Sequence, residues 1–381
     1  MIKRITGILL AAALILSFCG CGTENDTAVS ELPVIAGDAE PVRTELAYAE
    51  CFSIYDYANG DTLIITDDGS RYLVTDSAPS GIDAYITVIP RSPDMIYMAA
   101  SAVMCFYDAL GRLGDIRFSA LEEEGWHIEN ARAAMHSGDI VYAGKYSEPD
   151  YELLLSEGCR LSVQSTMSEH TPKVKEKLRE LGIPVLVDRS SYEPQPLGRC
   201  EWIKVYAAIA GCPELGEKLF EEQKAHFDEL EIKRIVSDTV TVQKTAVFFY
   251  ITASGKIVTR KSGDYITKMI ELAGGKNVFD FIGEDNAASS VTLEPEQFCL
   301  HAKDADIIIY NSTIAGEVGS IAELTAKNPL LADFRAVQSG NVWCTGRSVY
   351  QDIMKTGEIL TDLHTIFSDS GAQTSYLYRL Y

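Results

Sequence analysis

The residues of this chain best placed for chemistry stand in turns that follow short apolar runs. Towards the C-terminus they are Arg260, Lys261 and Tyr265, then Asn311, then Arg347 and Tyr350; nearer the N-terminus they are Ser92, Trp126, Ser165 and Tyr192. Arginine offers a fixed fork of donors to carboxylate or chelating oxygens, and aromatic rings supply flat apolar area. Such a set suits non-covalent capture of a bulky, partly aromatic, anionic ligand. It does not suit bond breaking, because G-x-S-x-G, H-E-x-x-H, G-x-x-x-x-G-K-[ST] and G-x-G-x-x-G after a strand are all absent. The six histidines, at 127, 136, 170, 226, 301 and 364, have no second His or Cys at ligand spacing, so neither a metal site nor a cofactor is expected. One acid/base pair can be nominated, His127 with Glu193, and it carries the alternative reading of a chelatase-like or redox enzyme. A surface adhesin is a third reading, which would need an exposed apolar patch in place of a lined cleft.

The N-terminus fixes the compartment. Met1-Ile2-Lys3-Arg4 is basic, Ile5 to Phe18 is an apolar run too short to span a bilayer, and small residues surround Cys19-Gly20-Cys21-Gly22. This resembles a bacterial lipoprotein signal with Cys21 as the lipidated residue, Gly20 being the small residue before it; a plain cleaved signal peptide is the competing reading. Residues 21–45, rich in Ala, Glu, Asp, Pro and Thr, then form a flexible tether.

The whole chain of 381 residues carries a formal charge of −22, with 33 basic and 55 acidic side chains. Loss of residues 1–20 removes only Lys3 and Arg4 and leaves about −24. A protein so acidic does not seek nucleic acid or anionic lipid. Seven cysteines follow Cys21, an odd number without C-x-x-C spacing, and most lie inside apolar runs. They read as buried free thiols, with one or two disulfides left open.

The elements that must position the candidate residues follow from periodicity. Residues 46–83 form a β-rich entry segment, in which Ala47 to Thr75 alternate with period two and Asp68-Gly69 marks a tight hairpin. Strand, loop and helix then alternate, from an apolar strand at Ala84–Pro90 and a helix-period run at Met95–Leu110 to a strand at Pro184–Asp188. A spine follows, in which one helix stops at Ala210-Gly211 and a second restarts with Pro213 at its first position. Leu215, Leu219, Phe220, Phe227 and Leu230 give this second helix one apolar face, and about 23 residues make a rod of roughly 35 Å. The alternation resumes at Thr245–Ile251, and a last helix is predicted over Gln351–Phe367. The tail YLYRLY could add an edge strand. The expected fold class is therefore α/β: two α/β lobes, at 84–211 and 239–367, joined by a rigid long helix at 212–238, with a ligand cleft between them and a tail at 368–381. Ligands of open parallel sheets bind outside the carboxyl ends of the strands, which is why the turns named above are the ones to inspect.

Several motifs in this order resemble one family. The spine segment PxPLGRxEWIK, the stretch Tyr142–Leu155 with Asp150-Tyr151-Glu152, the strand start Leu181-Gly-Ile-Pro-Val-Leu186 and the helix start Glu296-Gln-Phe are similar to those of the substrate-binding lipoproteins of ABC importers for iron–siderophores, haem and cobalamin. The resemblance covers roughly residues 85–365. It implies a lipid-anchored, extracytoplasmic and monomeric binding protein, not an enzyme, that takes up a metal chelate and docks on an importer permease. In that family one exposed Glu at a helix start in each lobe meets the permease, which points to Glu152 and Glu296, with Glu294 competing for the second role. An iron–siderophore is favoured by Arg260, Lys261 and Arg347; haem and cobalamin remain open. Residues 46–83 lie outside the pattern and have no assigned role.

Overall fold

Apolar runs without alternation become strands buried on both faces, whereas alternating runs keep one face for a core. The computed structural model describes residues 40–77, 81–236, 243–283, 290–368 and 373–381, with Leu32 and Gly371, and side chains of the spine helix as far as Glu231. Cys21 and the export signal lie outside the described residues. Ile35–Tyr381 forms one compact unit.

The alternating segment builds a leading sheet of five strands in sequence order, Val42–Arg43, Phe52–Asp56, Thr62–Thr66, Arg71–Thr75 and Ile86–Pro90. The expected hairpin forms at Asp68-Gly69, where Gly69 adopts φ 81° and Asp68 accepts from the Thr66 hydroxyl at 2.7 Å and from the Ser70 amide at 3.1 Å. The strand at Ile86–Pro90, expected to open the N-terminal lobe, pairs in parallel with Arg71–Thr75 instead. The lobe's own sheet has the order Val185–Asp188, Leu161–Ser165, Ile96–Met98, Ile116–Ser119, Val141–Tyr142, with every neighbour parallel. Its central strand occupies the start of the run predicted as helical from Met95; the helix begins only at Met104. An apolar run buried on every side carries no period by which to tell the two apart.

The spine consists of Pro196–Glu201, Ile203–Ile209 and the long helix Pro213–Val236. Gly216 lets the last two approach, since a Cβ there would stand 2.4 Å from that of Ala207. Phe52 of the leading sheet meets Trp202 edge-on at 4.9 Å, and both belong to the N-terminal core with Met104, Phe106 and Tyr206. The leading sheet is thus packed on the spine and is continuous with the first lobe.

The second lobe has a mixed sheet, Ser290–Leu293, Ile257–Arg260, Thr245–Ile251, Ile307–Tyr310, Val342–Thr345, Leu377–Arg379, with Lys276–Asn277 alongside Thr245–Ile251. The tail does add an edge strand, antiparallel to Val342–Thr345. The helix predicted from Gln351 starts later, at Thr356, after short turns at Arg347–Tyr350 and Ile353–Lys355. That delay has a consequence, because Ile353 and Met354 insert into the core of the first lobe. The lobes are therefore tied twice, by the spine and by this segment.

Candidate functional site

The carboxyl ends of the two sheets meet through Gln351, just beyond the strand Val342–Thr345. Its side chain accepts from the His127 amide at 2.8 Å and donates to the Gly125 carbonyl at 2.7 Å, on the loop after Ile116–Ser119. Arg347 lies within electrostatic reach of His127: burial and then the Arg347 charge hold that imidazole below its usual range, against the pull of Glu317. The carboxyl-end rule places the expected ligand site beside these loops.

The candidate residues of the second lobe divide into a buried group and an accessible one. Arg260, expected in a turn, belongs to the strand Ile257–Arg260, which runs antiparallel to Thr245–Ile251. Arg260 consequently points into the lobe. Its guanidinium donates to the Tyr350 hydroxyl, lies 3.5 Å from Asp264, and faces the rings of Tyr350 and Phe248 at 5.4 and 5.9 Å. Asn311 donates to the same hydroxyl at 3.0 Å. Burial pushes the Tyr350 phenol above its usual range despite the Arg260 charge. Tyr265 carries the buried Arg199 of the spine 3.9 Å over its ring. Arg199, Tyr265, Arg260, Tyr350 and Asn311 thus form one network between spine and lobe, a framework behind the cleft. The accessible members are Arg347, half-exposed and paired with Glu317 at 3.1 Å, and Lys261, half-buried.

In the first lobe the sequence misjudges two residues. Trp126 is 1% exposed, its indole donating to the Ser119 hydroxyl at 2.9 Å, and it belongs to the core. Ser92 follows Ile86–Pro90, a strand of the leading sheet and not of the lobe's own sheet, and its hydroxyl caps the helix Ile203–Ile209 through the Ala210 carbonyl at 2.8 Å. Ser165 and Tyr192 do stand at carboxyl ends, and Tyr192 is 50% exposed. Arg189, which opens the same turn, lies 4.8 Å over the Tyr192 ring and is engaged by Asp67 of the leading sheet and by Glu169 at 3.0 Å. Missed were large apolar side chains left in solvent at the same ends, Tyr142, Met167 and, in the second lobe, Ile314. Ile314 borders a hollow of about 730 Å³ with Tyr250, Ile251, Gly255, Ala315 and Lys327. A hydrophobic residue inside a polar loop was the only sequence signal for these.

Glu193 is no general base. Its carboxylate accepts from the amides of Glu50 and Cys51 and from the Trp202 indole, each at 2.9 Å. Glu201 accepts from the amides of Ala47, Tyr48 and Ala49 at 2.8 to 2.9 Å and from Lys204 at 3.1 Å. Five successive N–H groups form an anion nest around two buried carboxylates, which fastens the start of the leading sheet to the spine. Gly198 permits the approach, for a Cβ there would stand 3.0 Å from both Glu193 and the Tyr48 carbonyl. Elsewhere on the surface, Glu152 and Glu296 are exposed in the first turns of their helices, whereas Glu294 is held by Lys256 at 2.8 Å.

Two lobes on a rigid spine, with accessible side chains gathered where the sheets' carboxyl ends face each other, define a solute-binding protein of the class III periplasmic type. The family model described as periplasmic binding protein matches residues 126–349, more than half of the chain, and the chain belongs to that family, one of binding proteins and not enzymes that serve ABC transport. Two uncharacterized lipoproteins of Methanocaldococcus jannaschii are similar. One is 26% identical over 245 residues, 63% of this chain and 56% of the relative; the other is 25% identical over 364 residues, 90% of this chain and 89% of the relative. Among solved structures, a periplasmic haem-binding protein of Pseudomonas aeruginosa shares the fold with a TM-score of 0.61 at 15% identity, covering 76% of this chain and 98% of that one. The periplasmic catecholate-siderophore-binding protein VctP of Vibrio cholerae does so with a TM-score of 0.55 at 11% identity, covering 82% and 99%.

Proposed function

We propose that this protein, anchored outside the cytoplasm through lipid on Cys21, captures a metal chelate as a monomer and hands it to the permease of an ABC importer. The chelate is an iron complex with a largely apolar outer face. One observation carries this reading: at four strand ends around the cleft, large apolar side chains, Tyr142, Met167, Tyr192 and Ile314, are left in solvent. They are 37–55% exposed, so covering each would gain roughly half of the about 1.5–3 kcal/mol of full burial, and a ligand that covers all four has affinity supplied without chemistry. Ser165, Lys261 and Arg347 provide polar contacts at the edges, and the framework from Arg199 to Asn311 keeps the floor preformed. The double tie between lobes implies small closure motions. Glu152 and Glu296 are the docking residues for the permease. The similar proteins of known structure named above are described as binding haem and a catecholate siderophore, which is the ligand range to test first.

The test is an absorbance spectrum of the purified chain after incubation with haem, cobalamin and several ferric siderophores, followed by desalting. A coloured ligand retained at about one per chain supports the reading and names the chemistry. No retained colour with any of them refutes it.

A further inference from the structure

The leading sheet lies outside the family match, which begins at residue 126, yet its hairpin at Asp67–Ser70 reaches the carboxyl end of the first lobe's sheet. Arg189 directly follows the edge strand Val185–Asp188 and is nearly buried. Asp67 engages both its Nε and, at 3.1 Å, its second terminal nitrogen; the remaining nitrogen donates to Glu169 at 3.0 Å and lies 3.7 Å from Asp68. The cation is used up, its fork turned to the hairpin and its flat face to the half-exposed Tyr192. One positive charge thus faces three carboxylates, two of them brought by the leading sheet. These carboxylates keep a third or more of their surface in water, so their field extends into the cleft. Burial opposes ionisation of Asp68, but the Thr66 hydroxyl, the Ser70 amide, the Arg189 charge and the Ser70 hydroxyl together hold its carboxyl below the usual range. Across the cleft Arg347 is balanced by Glu317.

We infer that the leading sheet sets the charge selectivity of the cleft: Asp67 and Asp68 turn a rim that Arg189 and Glu169 alone would leave neutral into an anionic one, so that neutral or cationic iron chelates are captured and polyanionic ones refused. The inference rests on the chelate reading of the cleft. Two unit charges roughly 8–10 Å apart in a wet cleft change affinity about twofold. Removing two carboxylates beside a trianionic ligand therefore raises its affinity about tenfold once screening is included.

Equilibrium dialysis of the purified full chain, read by absorbance, tests this with two iron(III) complexes, a trianionic tris-catecholate and a neutral tris-hydroxamate. The unmodified protein is expected to prefer the neutral complex. Asp67→Asn with Asp68→Asn should raise affinity for the trianion about tenfold and leave the neutral complex within twofold. Asp76→Asn with Asp94→Asn removes the same charge at the opposite end of the sheets and should do neither. Equal selectivity in the hairpin variant, or an equal gain in the control, overturns the inference. Should the hairpin variant fail to fold, salt decides: raising NaCl from about 50 to about 500 mM must strengthen binding of the trianion to the unmodified protein, by screening repulsion, and a weakening overturns the inference. Binding of neither complex by the unmodified protein overturns the chelate reading and this inference with it; binding with unaltered selectivity overturns this inference alone.

Discussion

Replacing Glu201 by Gln removes a charge, not a shape, and the consequence can be worked from four donors. Oε2 accepts from the amides of Tyr48 and Ala49, each at 2.8 Å, while Oε1 accepts from Ala47 at 2.9 Å and Lys204 at 3.1 Å. A glutamine has one acceptor oxygen, so in either orientation two donors face an NH₂ group. The side chain is fully buried, and water cannot step in. Hydrogen bonds to an ionised acceptor are worth about 1.5–3 kcal/mol each, so two lost bonds cost about 3–6 kcal/mol. Lys204 keeps Glu217 at 2.9 Å, which favours the orientation that surrenders the lysine and brings the expectation to about 3–5 kcal/mol. Glu193→Gln provides the internal comparison. There an amide oxygen at the Oε1 position still serves Cys51 and Trp202, and only the Glu50 amide is lost, about 1–3 kcal/mol. Urea unfolding gives the totals, and hydrogen exchange followed by mass spectrometry gives the place: protection should collapse at Ala47–Ala49 in the first variant. A loss under about 1 kcal/mol with protection unchanged, or Glu193→Gln the more damaging of the two, would refute the nest as the fastening of the leading sheet.

Other perturbations separate framework from cleft. Arg260→Ala removes a donor from the buried Tyr350 hydroxyl and the cation beside the buried Asp264 carboxylate and should lower stability by about 2–4 kcal/mol, whereas Arg347→Ala, breaking a half-exposed pair, should cost under about 1 kcal/mol; thermal unfolding distinguishes them. Burial, helped by Glu358 and Asp108 against Lys355, pushes the Asp352 carboxyl up to about 6 from an ordinary 3.8. The folded state therefore holds a proton that the unfolded chain has already released. Stability should fall as pH rises from about 4 to 7, by at most about 3 kcal/mol and by roughly half that after allowing for solvent contact. Asp352→Asn should flatten this slope and raise the melting temperature at pH 7.5; an unchanged pH profile would count against the assignment. For docking, Glu152→Lys or Glu296→Lys should impair uptake in cells while leaving ligand affinity intact, and Glu294→Lys should impair it less. Equal defects from Glu294 and Glu296 would contradict the placement.

The turns at the strand ends were legible in the sequence; the direction of each side chain in them was not, and Arg260 shows why. Its position after an apolar run obeys the carboxyl-end rule only if the preceding strand is parallel. The turn Thr252–Lys256 reverses the chain, so Ile257–Arg260 points the other way and its last residue enters the lobe. Ser254-Gly255 signalled that turn, but whether the strand after a turn joins the sheet depends on partners far along the chain, here Ser290–Leu293. Trp126 and Ser92 fail for the same kind of reason: a residue type says what a side chain can do, while its direction is settled by a neighbour, Ser119 in one case and the Ala210 carbonyl in the other. Glu193 is the strongest instance. Nothing local connects it with Glu50 and Cys51, 143 and 142 positions earlier, yet that contact converts a candidate base into a structural anchor. Fold class was readable because periodicity is local and repeated along the chain. The role of one charged residue rests on a single distant contact, and such contacts decide whether a charge in this protein supports the fold or confronts the ligand.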